Sequence, residues 1–262
     1  MPVFYDQLNR EVDLPHIPQR IISIVPSQTE LLFDLGLDEK IIGITSFCTH
    51  PVDKTKAKTK IGGTKKLNIP LIKSLKPDLI IANKEENDRA QVEELMDICP
   101  VWISDINNLN SALEMIEKIG AMLHVQGEAK KLNDNILRQF NQLKTPVLNL
   151  RVAYLIWRKP YMLAGTGTFI NSMLQTCGLS NAFNKGRYPQ VSKEMLIDAE
   201  PDVVLLSSEP YPFSQKHIAE FKIILPRAKI ILVDGEMFSW YGSRLLQAPA
   251  YFKALLKAIS AT

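Results

Sequence analysis

Cysteine is scarce in this chain: Cys48, Cys99 and Cys177 are far apart and odd in number. That excludes a disulfide scaffold while fitting either a reducing or an oxidising compartment. Only 4 histidines occur, with no His-x-x-x-His pair. No apolar stretch approaches the roughly 20 residues of a membrane-spanning helix. Charge of one sign is not in excess either. The net charge of +3, from 31 basic and 28 acidic residues, is too weak for a nucleic-acid partner. The locally basic run Lys54 to Lys66 lacks interleaved aromatics and reads as a solvated loop. Catalytic signatures are missing too, with no Gly-x-Ser-x-Gly elbow and no phosphate-binding P-loop. Gly165-Thr-Gly-Thr168 precedes a helix and offers amides to an anion, but it lacks the third glycine of a dinucleotide loop. The first fifteen residues show no charged-then-apolar leader, so the expectation is a cytoplasmic protein or one whose leader has been removed.

What is present is a repeat. Leu71 to Glu86 reads LIKSLKPDLIIANKEE, and Met195 to Pro210 reads MLIDAEPDVVLLSSEP. Each runs from an amphipathic helix into Pro-Asp, then an apolar run, then a polar cluster with Glu. The apolar runs at Leu79 and Val203 fit strands of a parallel sheet covered on both faces. The polar residues after them sit at the carboxyl end, where open α/β sheets place ligands. Arg20 to Gly36 and Arg151 to Gly178 each read strand, loop, helix, the second with a longer loop. Val101 to Asp105 matches Ile230 to Asp234. At 262 residues, 46% hydrophobic and 23% charged, the chain is long enough for two modest soluble domains.

The predicted organisation is an α/β protein of two lobes with parallel sheets. Residues 1–105 form the first lobe, with an extended or hairpin arm over 1–19. Residues 106–147 form a helical connection and 148–262 the second lobe. Apolar spacing at Leu132, Ile136, Leu137 and Phe140 predicts a helix from about Gln126 to Leu143, separated from a preceding helix near His124-Val125 and stopped by Thr145-Pro146. Those eighteen residues would span about 27 Å. A helical connection makes a stiff hinge, unlike a Gly/Ser-rich linker.

Two clusters stand out as binding candidates. Trp157-Arg158-Lys159-Pro160-Tyr161 follows a strand and supplies flat rings and a guanidinium suited to a carboxylate. Phe238-Ser-Trp-Tyr-Gly-Ser-Arg244, with Trp240 and Tyr241, packs three aromatics and an Arg into seven residues; it reads as a stacking platform for a large flat ligand. The alternatives are an exposed turn and a hydrophobic plug over the sheet end. Asn83 to Arg89 reads equally as a polar ligand contact or a solvated cap. Cys48-Thr49-His50 lacks a third metal ligand, so no metal held by protein side chains is predicted, although His50 suits an axial position on a haem or corrin.

Arg20-Ile-Ile-Ser-Ile-Val-Pro-Ser-Gln-Thr-Glu30, Gly62-Gly-Thr64, Leu75-Lys-Pro-Asp-Leu-Ile-Ile81 and Tyr188-Pro-Gln-Val-Ser192 resemble the helical-backbone (class III) periplasmic substrate-binding proteins of ABC importers. The likeness runs from about Arg20 to Ala258 and is greatest to the vitamin B12-binding branch, beside those for ferric siderophores and haem. It implies two Rossmann-like lobes bridged by one long helix, a ligand held between them and little closure. It also implies an extracytoplasmic location, an ABC permease as partner, a monomer, and no catalysis or cofactor of its own. Aromatic positions of the vitamin site fall on Phe47, Tyr161 and Tyr188, and two tryptophan positions on Thr64 and Asn83. An acidic position falls on Glu236 and an arginine position on Trp240. Of the two glutamates that the family presents to its permease, one matches Glu194; Pro70 stands at the other. The expected function is therefore a binding protein for a cobalamin-like corrinoid, a ferric siderophore or haem. The alternatives are a cytosolic chelatase-like enzyme acting on a tetrapyrrole, with His50 and Glu30 as its acid–base pair, and a direct receptor for a divalent metal.

Overall fold

A computed structural model describes residues 3–144 and 149–260. The chain opens with a hairpin of β1 (Phe4–Tyr5) and β2 (Glu11–Val12), pairing Phe4 with Val12. Its turn is held by the fully buried carboxylate of Asp6, which accepts hydrogen bonds from the amides of Leu8 and Arg10 and pairs with the Arg10 guanidinium at 2.6 Å.

Five strands follow: β3 (Ile21–Ser23), β4 (Ile41–Ile44), β5 (Thr59–Lys60), β6 (Leu79–Asn83) and β7 (Val101–Ser104). They form one sheet in the order β5-β4-β3-β6-β7, parallel throughout. Its helices are α1 (Pro26–Asp34), α2 (Val52–Thr55), α3 (Ile69–Ser74) and α4 (Arg89–Met96). Every residue of β3, β6 and β7 is buried, which explains the unbroken apolar runs. The strand order reverses direction between β3 and β6, a switch point of the kind beyond whose carboxyl ends open α/β sheets place ligands.

Two helices come next, α5 (Leu109–Met122) and α6 (Gln126–Asn141). His124 takes a left-handed φ of 59° at the break, and a Cβ on Gly120 would collide with that of Ala129 where the helices cross. Helix α6 ends two residues before the predicted Leu143, and its 16 residues span about 24 Å. Its buried stripe is Ala129, Ile136 and Phe140, with the rest largely facing solvent. The predicted stop at Thr145-Pro146 lies outside the described residues.

The remaining strands are β8 (Arg151–Trp157), β9 (Tyr161–Leu163), β10 (Ser180–Asn181), β11 (Gln190–Val191), β12 (Val203–Ser207) and β13 (Lys229–Val233). Their order is β11-β9-β8-β12-β13, with β10 also pairing β8. The core β8-β12-β13 is parallel, whereas β9 runs antiparallel to β8 and β11 antiparallel to β9. The stretch expected as one long loop after β8 therefore includes a hairpin. Helices α7 (Phe169–Thr176), α8 (Lys193–Asp198), α9 (Gln215–Ile224), α10 (Glu236–Ser239) and α11 (Ala248–Ser260) complete the chain.

Contacts divide the chain into two compact units. The first holds residues up to Ile106, Asn110–Leu137 and Tyr241–Arg244; the second holds Asn107–Leu109, Arg138–Trp240 and the residues from Leu245 on. Both are Rossmann-like, and the backbone helix α6 carries the chain from one to the other.

Candidate functional site

In the first unit the carboxyl end of the sheet rests on a buried polar layer. Thr29 donates to Ser23 Oγ at 2.7 Å, and the Cys48 thiol lies 3.1 Å from both Thr29 Oγ1 and Thr45 Oγ1. Burial pushes that thiol's pKa up, and the thiol packs between the two hydroxyls. Asn83 belongs to the same layer and is 3% exposed. Its Nδ2 donates to Ser104, and its Oδ1 accepts from the amides of Glu85 (2.8 Å) and Glu86 (3.0 Å). The expectation of a ligand contact at Asn83 is corrected: its carboxamide is spent holding the loop after β6. At the first turn of α1, Ser27 Oγ and Gln28 Oε1 are buried with no hydrogen-bond partner.

Above this layer Phe47 is 61% exposed on the loop after β4, and its ring lies against Gly63. His50, three residues on, and Thr64, next to Gly63, are half-buried, and the Thr64 carbonyl accepts from Asn87. Tyr241 and Arg244 also belong to this unit, but neither offers an open face. Tyr241 donates to Glu86 Oε1 at 2.6 Å. Arg244 is buried and forked onto Glu30, with Nη2 to Oε1 at 2.6 Å and Nε to Oε2 at 3.1 Å. Burial raises the Glu30 pKa, and Arg244 opposes the rise. Arg244 is thus an internal ion-pair partner and not an open member of the expected stacking platform. Glu30, the acid of the expected His50–Glu30 pair, gives both carboxylate oxygens to Arg244, and His50 is near enough to help Arg244 oppose the rise in its pKa.

The second unit brings Trp157, Arg158 and Tyr161 together at the turn between β8 and β9. The Trp157 ring is 40% exposed and meets Tyr211 edge-on at 5.7 Å. Arg158 pairs with Glu220 at 2.8 Å, and the Tyr161 hydroxyl donates to the same carboxylate at 3.2 Å. Tyr188 is half-buried just before β11. Phe238 does not join a platform: it is fully buried among Tyr154, Tyr251 and Phe252, with centroids 5.1, 6.3 and 4.8 Å away. Trp240 is 6% exposed and donates its indole N–H to Glu209 Oε1 at 3.0 Å, where Ser239 also donates. Burial raises the Glu209 pKa, and the nearby carboxylates of Glu236 and Asp234 add to the rise. Glu236 opens α10 at the end of β13, half-buried. Glu194 is exposed in the first turn of α8, which Ser192 caps.

A family model described as periplasmic binding protein matches residues 21–222. The chain belongs to this family. The vitamin B12-binding protein of Pectobacterium carotovorum is 24% identical over 253 residues, covering 93% of this chain and 90% of that protein. An uncharacterized ABC transporter substrate-binding lipoprotein of Bacillus subtilis, YvrC, is 26% identical and covers 76% of this chain and 67% of that one. The structure of a possible iron-binding (periplasmic solute-binding) protein from Staphylococcus epidermidis superposes with a TM-score of 0.77 at 26% identity, covering 94% of this chain and all of that one.

Membership places this chain among binding proteins whose members work outside the cytoplasm. Among the described residues, no helix is long and apolar enough to cross a membrane, and no group of three or more His, Cys, Asp or Glu is placed to hold a metal ion. Sequence reasoning missed Glu220, which holds Arg158 and Tyr161; Glu86 and Glu209 stood in the polar clusters already noted, but not as the partners of Tyr241 and Trp240. Glu30 stood in view within the strand–helix motif, but nothing local announced its partner.

Proposed function

We propose that this protein is the substrate-binding component of an ABC importer and that it carries a metal-bearing organic ligand, a cobalamin-like corrinoid before a ferric siderophore or haem. Family membership across residues 21–222 carries this reading. The two sheets support it, because each ends in exposed aromatic surface at its carboxyl side, Phe47 in one and Trp157 in the other. Aromatic area taken from water contributes about 25 cal/mol per Å². The ligand contacts are Phe47, His50 and Thr64 in the first unit and Trp157, Tyr161, Tyr188 and Glu236 in the second. The protein works as a monomer outside the cytoplasm and meets its permease through Glu194 on the capped start of α8.

The test is a titration of the purified protein with cyanocobalamin, haemin and ferric siderophores, followed by ligand absorbance and tryptophan fluorescence. At least one should bind tighter than about 100 μM, roughly −5.5 kcal/mol, and Phe47→Ala should weaken it tenfold. Binding of none overturns the ligand class. Binding unchanged by Phe47→Ala removes the first unit's ring from the site while leaving the class intact.

A further inference from the structure

Resting on the reading just given, we infer that this site selects a ligand with an uncharged periphery, rich in amide or hydroxamate groups, and rejects metal complexes edged with carboxylates or catecholates. The reason is that Arg158 and Arg244, with the hydroxyls of Tyr161 and Tyr241, are already engaged by carboxylates of the same chain. In the second unit, Arg158 directs both Nε and Nη2 at Glu220 Oε2, at 2.9 and 2.8 Å. The Tyr161 hydroxyl takes the other oxygen. In the first unit, Arg244 is forked onto Glu30 and Tyr241 donates to Glu86.

A guanidinium fork holds one carboxylate well, and such charge-assisted pairs are the strong hydrogen bonds of a protein. A ligand carboxylate reaching Arg158 would have to displace Glu220 and then sit beside it as a like charge. At Arg244 the cost is greater still, since Glu30 would be left buried and unpaired. The carboxylates of Glu209, Asp234 and Glu236 gather where β12 and β13 end, and the raised Glu209 pKa reflects their mutual repulsion as well as burial. Lys159, Lys185 and Arg187 lie on exposed loops of that unit, where salt screens them. An amide-edged ligand avoids these costs, because carboxylates accept its N–H groups without losing their partners.

The experiment compares four ligands on the full chain: net-neutral cyanocobalamin, a ferric hydroxamate siderophore, haemin with its two propionates, and a ferric tricatecholate. The better of the first pair should bind at least 100-fold tighter than either of the second pair. In Glu220→Gln, which leaves Arg158 without its counter-charge, the anionic ligands should gain at least tenfold and the uncharged ones should change less than threefold. Tighter binding of haemin or the tricatecholate by the unaltered protein overturns the inference, whether or not the variant folds. So does a correctly folded Glu220→Gln, judged by its melting curve, whose haemin affinity is unchanged. If none of the four binds, the proposed ligand class itself falls and takes this inference with it.

Discussion

The two units share a frame and differ at its margins. In the first, β3, β6 and β7 lie side by side and parallel; in the second, β8, β12 and β13 do the same. The approach to the middle strand matches detail for detail. A six-residue helix is capped at its start, by Asn68 accepting from Leu71 N or by Ser192 accepting from Met195 N. A residue with left-handed φ follows, Lys76 at 48° or Glu200 at 40°, and then Pro-Asp. The Asp carboxylate then grips the neighbouring strand's start: Asp78 accepts from the amides of Gln19 and Arg20, and Asp202 from that of Arg151. Beyond the shared strands the units part. The first extends its sheet with parallel β4 and β5, the second with the antiparallel pair β9 and β11. Backbone geometry has been held twice, while the residues at the carboxyl ends have diverged. The frame is what the two units share, and the strands and loops at its margins are where they differ.

The largest expected effect separates the units most sharply. Arg244→Ala leaves Glu30 buried without its counter-charge and should cost about 3–5 kcal/mol in urea unfolding. Replacing both, as Glu30→Gln with Arg244→Met, should recover most of that. Arg158→Ala breaks a half-exposed pair in the second unit and should cost no more than about 1 kcal/mol. Equal losses would mean that the two ion pairs are not of different kinds. Next in size is the Pro-Asp grip. Asp78→Ala removes two hydrogen bonds to a carboxylate and Asp202→Ala one, so their costs should be about 2 and about 1 kcal/mol, with exposure holding both down. A reversed order would show that the shared geometry is not energetically shared. The smallest change is at the caps. Asn68→Ala and Ser192→Ala should each cost about 1 kcal/mol, equal within error. A clear inequality in thermal unfolding would break the equivalence of α3 and α8.

Much of the frame was readable because a strand buried on both faces must be apolar throughout, and because Pro-Asp punctuates it twice. The hairpin after β8 was not readable, since β9 and β11 have three and two residues and too little pattern to announce a strand. At the site, single residues could be singled out but not their partners. Arg244 meets Glu30 across 214 positions and Arg158 meets Glu220 across 62, separations on which composition and spacing are silent. Asn83 looked like a ligand contact because it closes a strand at the edge where ligands lie. The structure turns it inward because Ser104, on the next strand, supplies a buried partner. Phe238 looked like a platform because its neighbours in sequence are aromatic, but its neighbours in space are aromatic as well.

The three thiols have a chemical consequence of their own. Burial carries Cys99 and Cys177 to pKa values of about 12 and pushes Cys48 upward as well. At pH 7 a thiol of pKa about 12 is ionised in only about one molecule in 10⁵, and the thiolate is the species that attacks disulfides and alkylating reagents. The folded chain is therefore nearly inert toward thiol exchange, and its rate of labelling by iodoacetamide becomes a clock for transient opening.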